Sequence, residues 1–313
     1  MRLYDLCLTW NWEYDAGFAG TLRAACAAHG ATCLEVSEDN LSDILADLAQ
    51  HRIGFRLFLD RASEADADYL PLATWAQVLG AHRLNPREQA DRIYDKAALH
   101  HLFLANGIPT PHTLILPPYC DHPELASLPS PIFRPPYTVK PAIGGGGEGV
   151  VLNVIVAEQV QAARQQFPQE QYLIQEQIAP RTLDGQPAWF RAIYCLGEIF
   201  LCFWHPASHR YTPVSPQAEA KYGLSALRQL MQQIAGLCRL HVFSTEIALP
   251  QDERPFVVVD YVNDPIDLRL QSQAEDGVPD WIVERIAELI VSEAKKPSSL
   301  SGLGLEGDGK LSS

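Results

Sequence analysis

The residues of this sequence best suited to chemistry lie at 136–156, where a lysine is followed by a run of glycines. The glycines are Gly144, Gly145, Gly146, Gly147 and Gly149. Glycine loses more conformational entropy on folding than any other residue, so such a run favours a main chain that a ligand approaches closely. Successive backbone N–H groups can bind a phosphate, and the ammonium of Lys140 would add a positive charge. A flexible hairpin tip is the alternative for the glycine run alone.

β-Prone residues flank these glycines on both sides. Residues 137–140 predict one strand, and the valine-rich segment 150–156 predicts another. A strand after the loop excludes a Walker A motif, which needs a helix and a Gly-Lys-Ser/Thr ending. It excludes a dinucleotide-binding βαβ turn for the same reason. The pattern therefore favours a nucleotide covered by a β-hairpin.

The composition is typical of an enzyme of moderate size. The chain has 313 residues, of which 47% are hydrophobic, so it can bury a full core, and we expect it to divide into two or three domains. Its net charge of −14 argues against a nucleic-acid partner, although a phosphate could bind in a local basic pocket. The seven cysteines lack the paired spacing of metal or redox sites, so we expect reduced thiols in a cytoplasmic protein. With no signal peptide and no long apolar run, we expect no membrane partner.

The elements that must position these residues change in character along the chain. Residues 1–84 alternate strands and helices, with strands expected at 3–9, 31–36 and 55–59 and helices at 18–29 and 41–49. This order predicts a small parallel sheet with helices on its faces. Ligands of such sheets gather at the carboxyl ends of the strands. The aromatic loop 9–15 is therefore either a substrate-facing loop or a surface that packs against the next domain.

Residue 85 begins a second region, in which helices and strands are mixed. Helices are expected at 86–104, 157–166, 218–240 and 281–294, and strands at 113–116, 172–178, 189–198, 199–204, 246–249 and 256–262. Residues 117–136 are proline-rich and irregular, and residues 295–313 lack periodicity, which predicts a disordered tail. We therefore expect domains at 1–84 and 85–294, the second containing a hairpin subdomain at 113–178, followed by the tail.

The order of motifs over 85–294 resembles that of the ATP-grasp superfamily. In chain order, the motifs are Asp95-Lys96 before the segment GIPTP, Val139-Lys140-Pro141 before the glycine loop, Gln175-Glu176 on a later strand, and Glu246 followed by Asp260-Tyr261-Val262-Asn263. Within that superfamily the chain is similar to the carboxylate–amine ligases of the glutathione synthetase and ribosomal-protein glutamate ligase group. The resemblance implies an α/β (α+β) fold with a small parallel-sheet N-terminal domain and two α+β subdomains that clamp ATP.

The resemblance implies that ATP is bound by residues from several of these motifs. Lys96 and Lys140 would contact the phosphates, and the loop from Gly144 to Gly149 would cover them. The hinge strand that binds adenine would be formed by Gln175, Glu176, Gln177 and Ile178.

Metal binding and catalysis are implied for a further set of residues. Glu246, Asp260 and Asn263 would hold Mg²⁺, or Mn²⁺ in its place, between the β- and γ-phosphates. Oxygen ligands of this kind, shared with phosphate, are those that Mg²⁺ prefers. Arg191 would face the γ-phosphate, and Arg269 would contact an acyl phosphate.

Several of these residues also have a structural interpretation. Lys96 could be a solvated helix residue paired with the preceding aspartate, and Glu176 a surface residue of its strand. Arg269 stands two residues after Asp267, so an ion pair is as reasonable as a contact with substrate. The polar residues of 205–210 (His205, His209 and Arg210 among them) either line the acceptor pocket or belong to an ordinary loop.

The proposed metal ligands depart from the pattern of the superfamily. An acid commonly stands two residues before the asparagine, where this chain has Tyr261, and its acid is three residues before, at Asp260. Residues three apart on an ideal strand face opposite sides. Either a β-bulge realigns Asp260, which we favour, or Asp264 takes its place, or metal binding is weakened.

Three functions are consistent with the sequence. The first is an ATP-dependent ligase that phosphorylates a small carboxylate and joins it to an amine, or less often a thiol, through an acyl phosphate. The second is a small-molecule kinase of the same fold, and the third is a nucleotide-binding regulatory protein without turnover. The complete set of charged positions argues against the third. The resemblance also allows a homodimer.

Overall fold

A computed structural model of the chain describes residues 1–124 and 134–296. Contacts divide the chain into two units, one formed by Met1–Leu84 with Val283–Ser313 and the other by Asn85–Ile282. Part of the proline-rich connector, 125–133, lies outside the described residues. So does the tail expected at 295–313, apart from its first two residues.

The first unit is built around a four-stranded sheet of order β2-β1-β3-β4. Its elements are β1 (Arg2–Trp10), α1 (Ala16–Ala28), β2 (Cys33–Val36), α2 (Leu41–Ala49), β3 (Ile53–Arg61), α3 (Leu70–Val78) and β4 (His82–Leu84). Every strand pair in this sheet is parallel, which confirms the expected parallel sheet. Residues 6–8 of β1 and 57–59 of β3 are buried in succession, as expected where helices cover both faces of a parallel sheet.

The second unit contains antiparallel sheets and the helices that cover them. Its elements are α4 (Arg87–Tyr94), α5 (Lys96–Ala105), β5 (Thr113–Leu116), β6 (Tyr137–Pro141), β7 (Val151–Val154), α6 (Ala157–Arg164), β8 (Tyr172–Glu176), β9 (Thr182–Leu183), β10 (Gln186–Pro187), β11 (Trp189–Cys195), β12 (Glu198–Trp204), β13 (Tyr211–Pro213), α7 (Pro216–Tyr222), α8 (Ser225–Cys238), β14 (Val242–Ala248) and β15 (Val257–Asn263). A closing helix, α9 (Asp280–Ala294), begins in this unit and continues into the first.

Two sheets of the second unit position the residues of interest. One has the order β5-β8-β6-β7 and will be called the hairpin sheet. The other has the order β13-β12-β11-β14-β15 and will be called the large sheet. Buried residues of α5, α8 and the large sheet share one core, to which Phe103, Ile234 and Phe243 contribute. The strands β6 and β7 are antiparallel, so the hairpin expected around the glycine loop is confirmed.

Two helices expected to be continuous are broken. The helix expected at 86–104 is interrupted at Asp95, whose backbone is extended and whose carboxylate accepts hydrogen bonds from the N–H groups of Ala97 and Ala98. Asp95 is therefore the N-cap of a new helix that starts at Lys96. The helix expected at 218–240 is interrupted at Gly223, which adopts the left-handed conformation (φ 64°) and ends α7.

No helix in the described part of the chain is long and apolar enough to cross a membrane.

Candidate functional site

The face of the large sheet carries a buried pair of opposite charges. Arg191 on β11 and Glu246 on β14 lie directly opposite one another, and Arg191 Nη1 donates to Glu246 Oε1 at 2.5 Å. Arg191 Nε also donates to Ser244 Oγ (3.2 Å), and Trp189 Nε1 donates to Glu246 Oε2 (3.1 Å). Only 13% of the arginine side chain and 12% of the glutamate side chain are exposed. These charge-assisted hydrogen bonds hold both groups in one orientation.

A bulged strand places the next acidic residue beside this pair. Glu246 pairs with Asp260 and Ser244 pairs with Asn263, so two steps on β14 correspond to three on β15. The extra residue reverses the alternation of the strand and turns Asp260 and Asn263 toward the same face. The asparagine side chain is close enough to Asp260 to contribute to its lowered pKa. The bulge that we favour from the sequence is therefore confirmed, whereas Asp264 lies beyond the last paired residue of β15.

Lys140, on β6 of the hairpin sheet, reaches across to β15. Its Nζ atom lies 3.9 Å from Asp260 Oδ1 and donates a hydrogen bond to the carbonyl oxygen of Val259 at 3.2 Å. The ammonium also stands 5.2 Å from the centre of the Tyr261 ring. Burial lowers the pKa of Lys140, and the carboxylates of Asp260 and Glu246 partly oppose that shift.

Lys96 joins the same cluster from the start of α5. Its backbone N–H donates to the carbonyl oxygen of Ala142 at 2.9 Å, and its Nζ donates to the carbonyl oxygen of Gly144. The side chain is half-buried, so it is not the solvated helix residue of the alternative interpretation. Burial lowers the pKa of Lys96, with the charge of Asp260 acting in the opposite direction.

The glycine loop joins β6 to β7 beside Lys96. Four of its five glycines have positive φ values between 60° and 128°, the exception being Gly145. Gly149 is the most constrained, because a Cβ atom there would lie 2.7 Å from the ring of Phe167. Side chains are thus excluded at this position by backbone conformation and by space, while the tip of the loop stays exposed.

The two carboxylates of the cluster are shifted in opposite directions. Burial raises the pKa of Asp260, but the charges of Lys140, Arg191 and Lys96 outweigh it, so the pKa lies below its usual range. Burial also raises the pKa of Glu246, and there it prevails over the attraction of Arg191. Asp260 is therefore the firmer anion of the two at neutral pH.

The side chains of Glu246, Asp260 and Asn263 fit a magnesium ion whose remaining ligands are phosphate oxygens. Glu246, Asp260 and Asn263 offer two carboxylates and an amide, which are hard oxygen donors. Asn263 Nδ2 is buried without a hydrogen-bond partner among the described residues, and since an amide nitrogen can only donate, it would be satisfied by an acceptor such as a phosphate oxygen and not by the ion. Within residues 1–124 and 134–296, no group of three or more His, Cys, Asp or Glu side chains could hold a metal ion. A magnesium ion at this site would therefore need phosphate oxygens as further ligands.

The residues expected to bind adenine lie at the end of β8 and just after it. The Gln175 side chain is buried and donates to Thr113 Oγ1 (3.0 Å) and to the Tyr261 hydroxyl (2.8 Å), so it faces the core. Glu176 accepts from the backbone N–H of His112 and from a guanidinium N–H of Arg254. It is thus a partnered residue, not a free surface carboxylate. Gln177 and Ile178 follow β8, and Ile178 packs against Ala248 and Val257.

Arg269 forms the ion pair that the sequence allowed. Its Nη2 lies 2.7 Å from Asp267 and 2.9 Å from Asp276, and the second of these carboxylates was not singled out from the sequence. In the loop 205–210, the His209 ring stacks on Trp204 with centroids 5.0 Å apart. Trp204 in turn lies 5.8 Å from the Arg191 guanidinium, which brings this loop next to the charged cluster.

Sequence reasoning missed the buried polar groups beneath the cluster. His100 Nδ1 lies 2.7 Å from the Tyr261 hydroxyl, although 161 positions separate the two residues in the sequence. The available signal was the tyrosine itself, because it stands where the superfamily commonly has an acid. Nothing in the pattern of the helix identified His100 as its partner.

Comparisons with known proteins give structural relatives only. No protein-family model and no curated protein sequence matches the chain. A RimK domain ATP-grasp protein from Sphaerobacter thermophilus is 18% identical, with 93% of this chain and 98% of that chain covered and a TM-score of 0.59. The D-alanine–D-alanine ligase of Bacillus anthracis, complexed with ATP, is 12% identical (94% and 97% covered, TM-score 0.62). The macrocyclase MdnB of Microcystis aeruginosa is 14% identical (95% and 100% covered, TM-score 0.60).

Proposed function

We propose, from the premise that this chain has the ATP-grasp fold, that it is an ATP-dependent carboxylate–amine ligase. It would phosphorylate a small carboxylate with Mg-ATP and join the resulting acyl phosphate to an amine, releasing ADP and phosphate. The observation that carries this proposal is the convergence of Lys96, Lys140, Arg191, Glu246 and Asp260 beside a glycine loop. Phosphoryl transfer depends mainly on positioning and charge neutralisation, which such a cluster supplies.

The two lysines and the loop form the proposed phosphate site. Lys140 is buried and Lys96 is half-buried, and both lie near enough to Asp260 for its charge to act on their pKa values. A charge is worth more where water is excluded, so the phosphates of ATP would bind strongly there. The loop would cover the phosphates, and the backbone at 176–178 would bind adenine.

Glu246, Asp260 and Asn263 would hold Mg²⁺, with Mn²⁺ as an alternative. When bound, the ion supplies positive charge that offsets the repulsion between phosphate oxygens. The residues themselves fix the donor oxygens on one face of the large sheet, through the bulge in β15 and through the Trp189 hydrogen bond to Glu246.

Arg191 is the residue that we propose to act on the transferred group. Its guanidinium is oriented by Glu246 and Ser244 and is largely buried, so it is preorganised to stabilise negative charge at the acyl phosphate. Exclusion of water around it would protect this mixed anhydride from hydrolysis. Arg269 is a second proposed contact of the acyl phosphate, and it would have to share its charge with Asp267 and Asp276.

The substrates are proposed from chemistry and from the nature of the structural relatives. A ligase and a macrocyclase among them support bond formation driven by ATP. The kinase is the alternative, in which the phosphorylated acceptor is released. The cytoplasmic location and the homodimer expected from the sequence stay predictions.

The proposal is tested by measuring ATP consumption with a panel of small carboxylates, each with and without amines. A ligase releases ADP and phosphate over many turnovers only when both the acid and the amine are present. Release of AMP and pyrophosphate would contradict the mechanism. Consumption of ATP with one acceptor, accompanied by a stable phosphorylated product, would favour the kinase.

A further inference from the structure

Tyr261 is a buried residue at the centre of the proposed site that the mechanism above does not use. It lies between Asp260 and Asn263, and only 1% of it is exposed. Its ring packs against His100 and Phe103, with centroid separations of 5.8 Å and 5.5 Å. The tyrosine is thus fixed from below by α5, while its neighbours on β15 face the charged cluster.

The hydroxyl of Tyr261 has a defined direction. Gln175 Nε2 lies 2.8 Å from it and can only donate, so the hydroxyl oxygen accepts that hydrogen bond. The hydroxyl oxygen also lies 2.7 Å from His100 Nδ1. Burial lowers the pKa of His100 to about 4, so the ring is neutral at pH 7, and the tautomer with its proton on Nε2 accepts the hydroxyl proton at Nδ1. Gln175 is itself oriented by its second hydrogen bond, to Thr113.

Three consecutive residues of β15 surround the ammonium of Lys140. Val259 provides a carbonyl oxygen, Asp260 a carboxylate and Tyr261 the face of its ring. Both register shifts between β14 and β15 fall around this segment. The irregular strand therefore brings a hydrogen-bond acceptor, a charge and an aromatic ring to one side chain, which a regular strand would direct to alternate faces.

We propose that Tyr261 is a positioning residue for Lys140. The hydroxyl, held by Gln175 and His100, fixes the ring beneath the ammonium, and the ring in turn fixes the direction of the ammonium toward the phosphates of ATP. Attraction between a cation and an aromatic face strengthens when both are desolvated. This inference rests on the proposed function, since it concerns the lysine that binds phosphate there.

The test compares two substitutions with a matched control. Y261L removes the ring and the hydroxyl, whereas Y261F keeps the ring and provides a milder variant if Y261L fails to fold. Y172F is the control, because Tyr172 is equally buried and its hydroxyl donates to the carbonyl oxygen of Ala163, in the core of the hairpin sheet. Calorimetric titration with a non-hydrolysable ATP analogue should give about threefold to tenfold weaker binding for Y261L. Y261F should weaken binding about twofold, and Y172F should leave it unchanged.

A double-mutant cycle distinguishes positioning from packing. If Tyr261 acts through Lys140, Y261L should have no further effect on nucleotide affinity in a K140M background. Full additivity of the two substitutions would overturn the proposal. If K140M alone leaves affinity unchanged, the proposed nucleotide site is wrong, and that outcome is separate from the role of the tyrosine.

A second measurement does not depend on nucleotide binding. Labelling of Lys140 by an amine-directed reagent, followed by mass spectrometry across a range of pH, reports how firmly the ammonium is held. We expect faster labelling in Y261L and unchanged labelling in Y172F. Identical labelling of Lys140 in wild type, Y261L and Y172F would overturn the proposal whatever the affinity for ATP.

Discussion

Individual residues of the proposed site carry charge where water is largely excluded. Lys140 is 5% exposed, and the Arg191 and Glu246 side chains are only slightly more accessible. Burial disfavours the charged form of each titratable group, and the pKa values of Lys140 and Glu246 move accordingly. The site therefore holds charge at some expense of stability, as functional sites commonly do.

Replacement of Lys140 by methionine should separate stability from function. Because burial lowers the pKa of Lys140, the folded state binds its proton more weakly than the unfolded state, and the charged form opposes folding at neutral pH. K140M removes this cost but also removes the cation that most lowers the pKa of buried Asp260, so the two effects oppose each other and the free energy of unfolding in urea at pH 7 should change little. The same variant should lose ATP affinity by about one to two orders of magnitude, as expected for a charge-assisted hydrogen bond. K221M, at a lysine on an exposed ion pair, should change neither quantity; a less stable K140M with full affinity would contradict this account.

Substitution of Asp260 tests the metal site. D260N removes a negative charge while keeping the shape of the side chain, so the protein should fold and the magnesium concentration needed for half-maximal turnover should rise at least about tenfold. E246Q should also raise the magnesium concentration needed for half-maximal turnover. D264N is the matched control because it lies just beyond the strand. If D264N alone changes the magnesium requirement, Asp264 is the ligand and the bulge serves another purpose.

His100 should give the stability of the protein a distinct pH dependence. Its pKa is lowered to about 4, chiefly by burial, with smaller contributions from the charges of His101 and Lys140. Between its ordinary value of 6.5 and about 4, the unfolded state binds the proton and the folded state does not, so stability falls as pH falls through that window. The effect is at most about 3 kcal/mol. H100N keeps an acceptor for Tyr261 but does not titrate, so urea unfolding at several pH values should give a smaller slope; an unchanged slope would contradict the assignment.

At the scale of elements, local sequence signals predicted much of the fold. The β-branched segments around the glycine run form the hairpin, and the alternating strands and helices of residues 1–84 form the parallel sheet. The breaks at Asp95 and Gly223 were not predicted, although an aspartate that caps a helix and a glycine that ends one are familiar signals. The spacing between Asp260 and Asn263 favoured a bulge, with Asp264 as ligand or weakened metal binding as the alternatives, and β15 is bulged there.

Contacts between distant segments could not be predicted in the same way. The hydrogen bonds of Tyr261 to His100 and to Gln175 join residues 161 and 86 positions apart. Arg191 and Glu246 are separated by 55 positions, and the sequence marked each as functional without indicating that they pair. Such partners depend on strand register and on which helix covers a sheet, which no local pattern specifies.

The glycine loop allows a prediction about two of its positions, Gly147 and Gly149. G149A places a Cβ atom 2.7 Å from the Phe167 ring at a φ of 70°, whereas G147A (φ 81°) meets nothing within 4 Å. G147A should therefore lower the free energy of unfolding by only about 1 kcal/mol, the strain of an alanine in the left-handed conformation. G149A should cost about 2–4 kcal/mol, because overlap adds to that strain. Equal effects of the two substitutions in urea unfolding would contradict the packing described here.

At the scale of the whole molecule, the charge distribution matters more than its sum. The net charge of −14 would repel an anionic nucleotide at long range. The cations near Asp260 nevertheless form a local basic site, with the lysines contributed by a hairpin strand and a helix and the arginine by the large sheet. A chain that is acidic overall thus presents cations at one point, as the proposed binding of ATP requires.

The most direct test of the central claim is to intercept the acyl phosphate. Given the right carboxylate, ATP and magnesium but no amine, hydroxylamine should be converted to a hydroxamate in an amount equal to the ADP released, because it attacks the activated carbonyl. Replacement of Arg191 by methionine should abolish the hydroxamate while ATP still binds. ADP formation with a stable phosphorylated product and no hydroxamate would contradict the ligase mechanism.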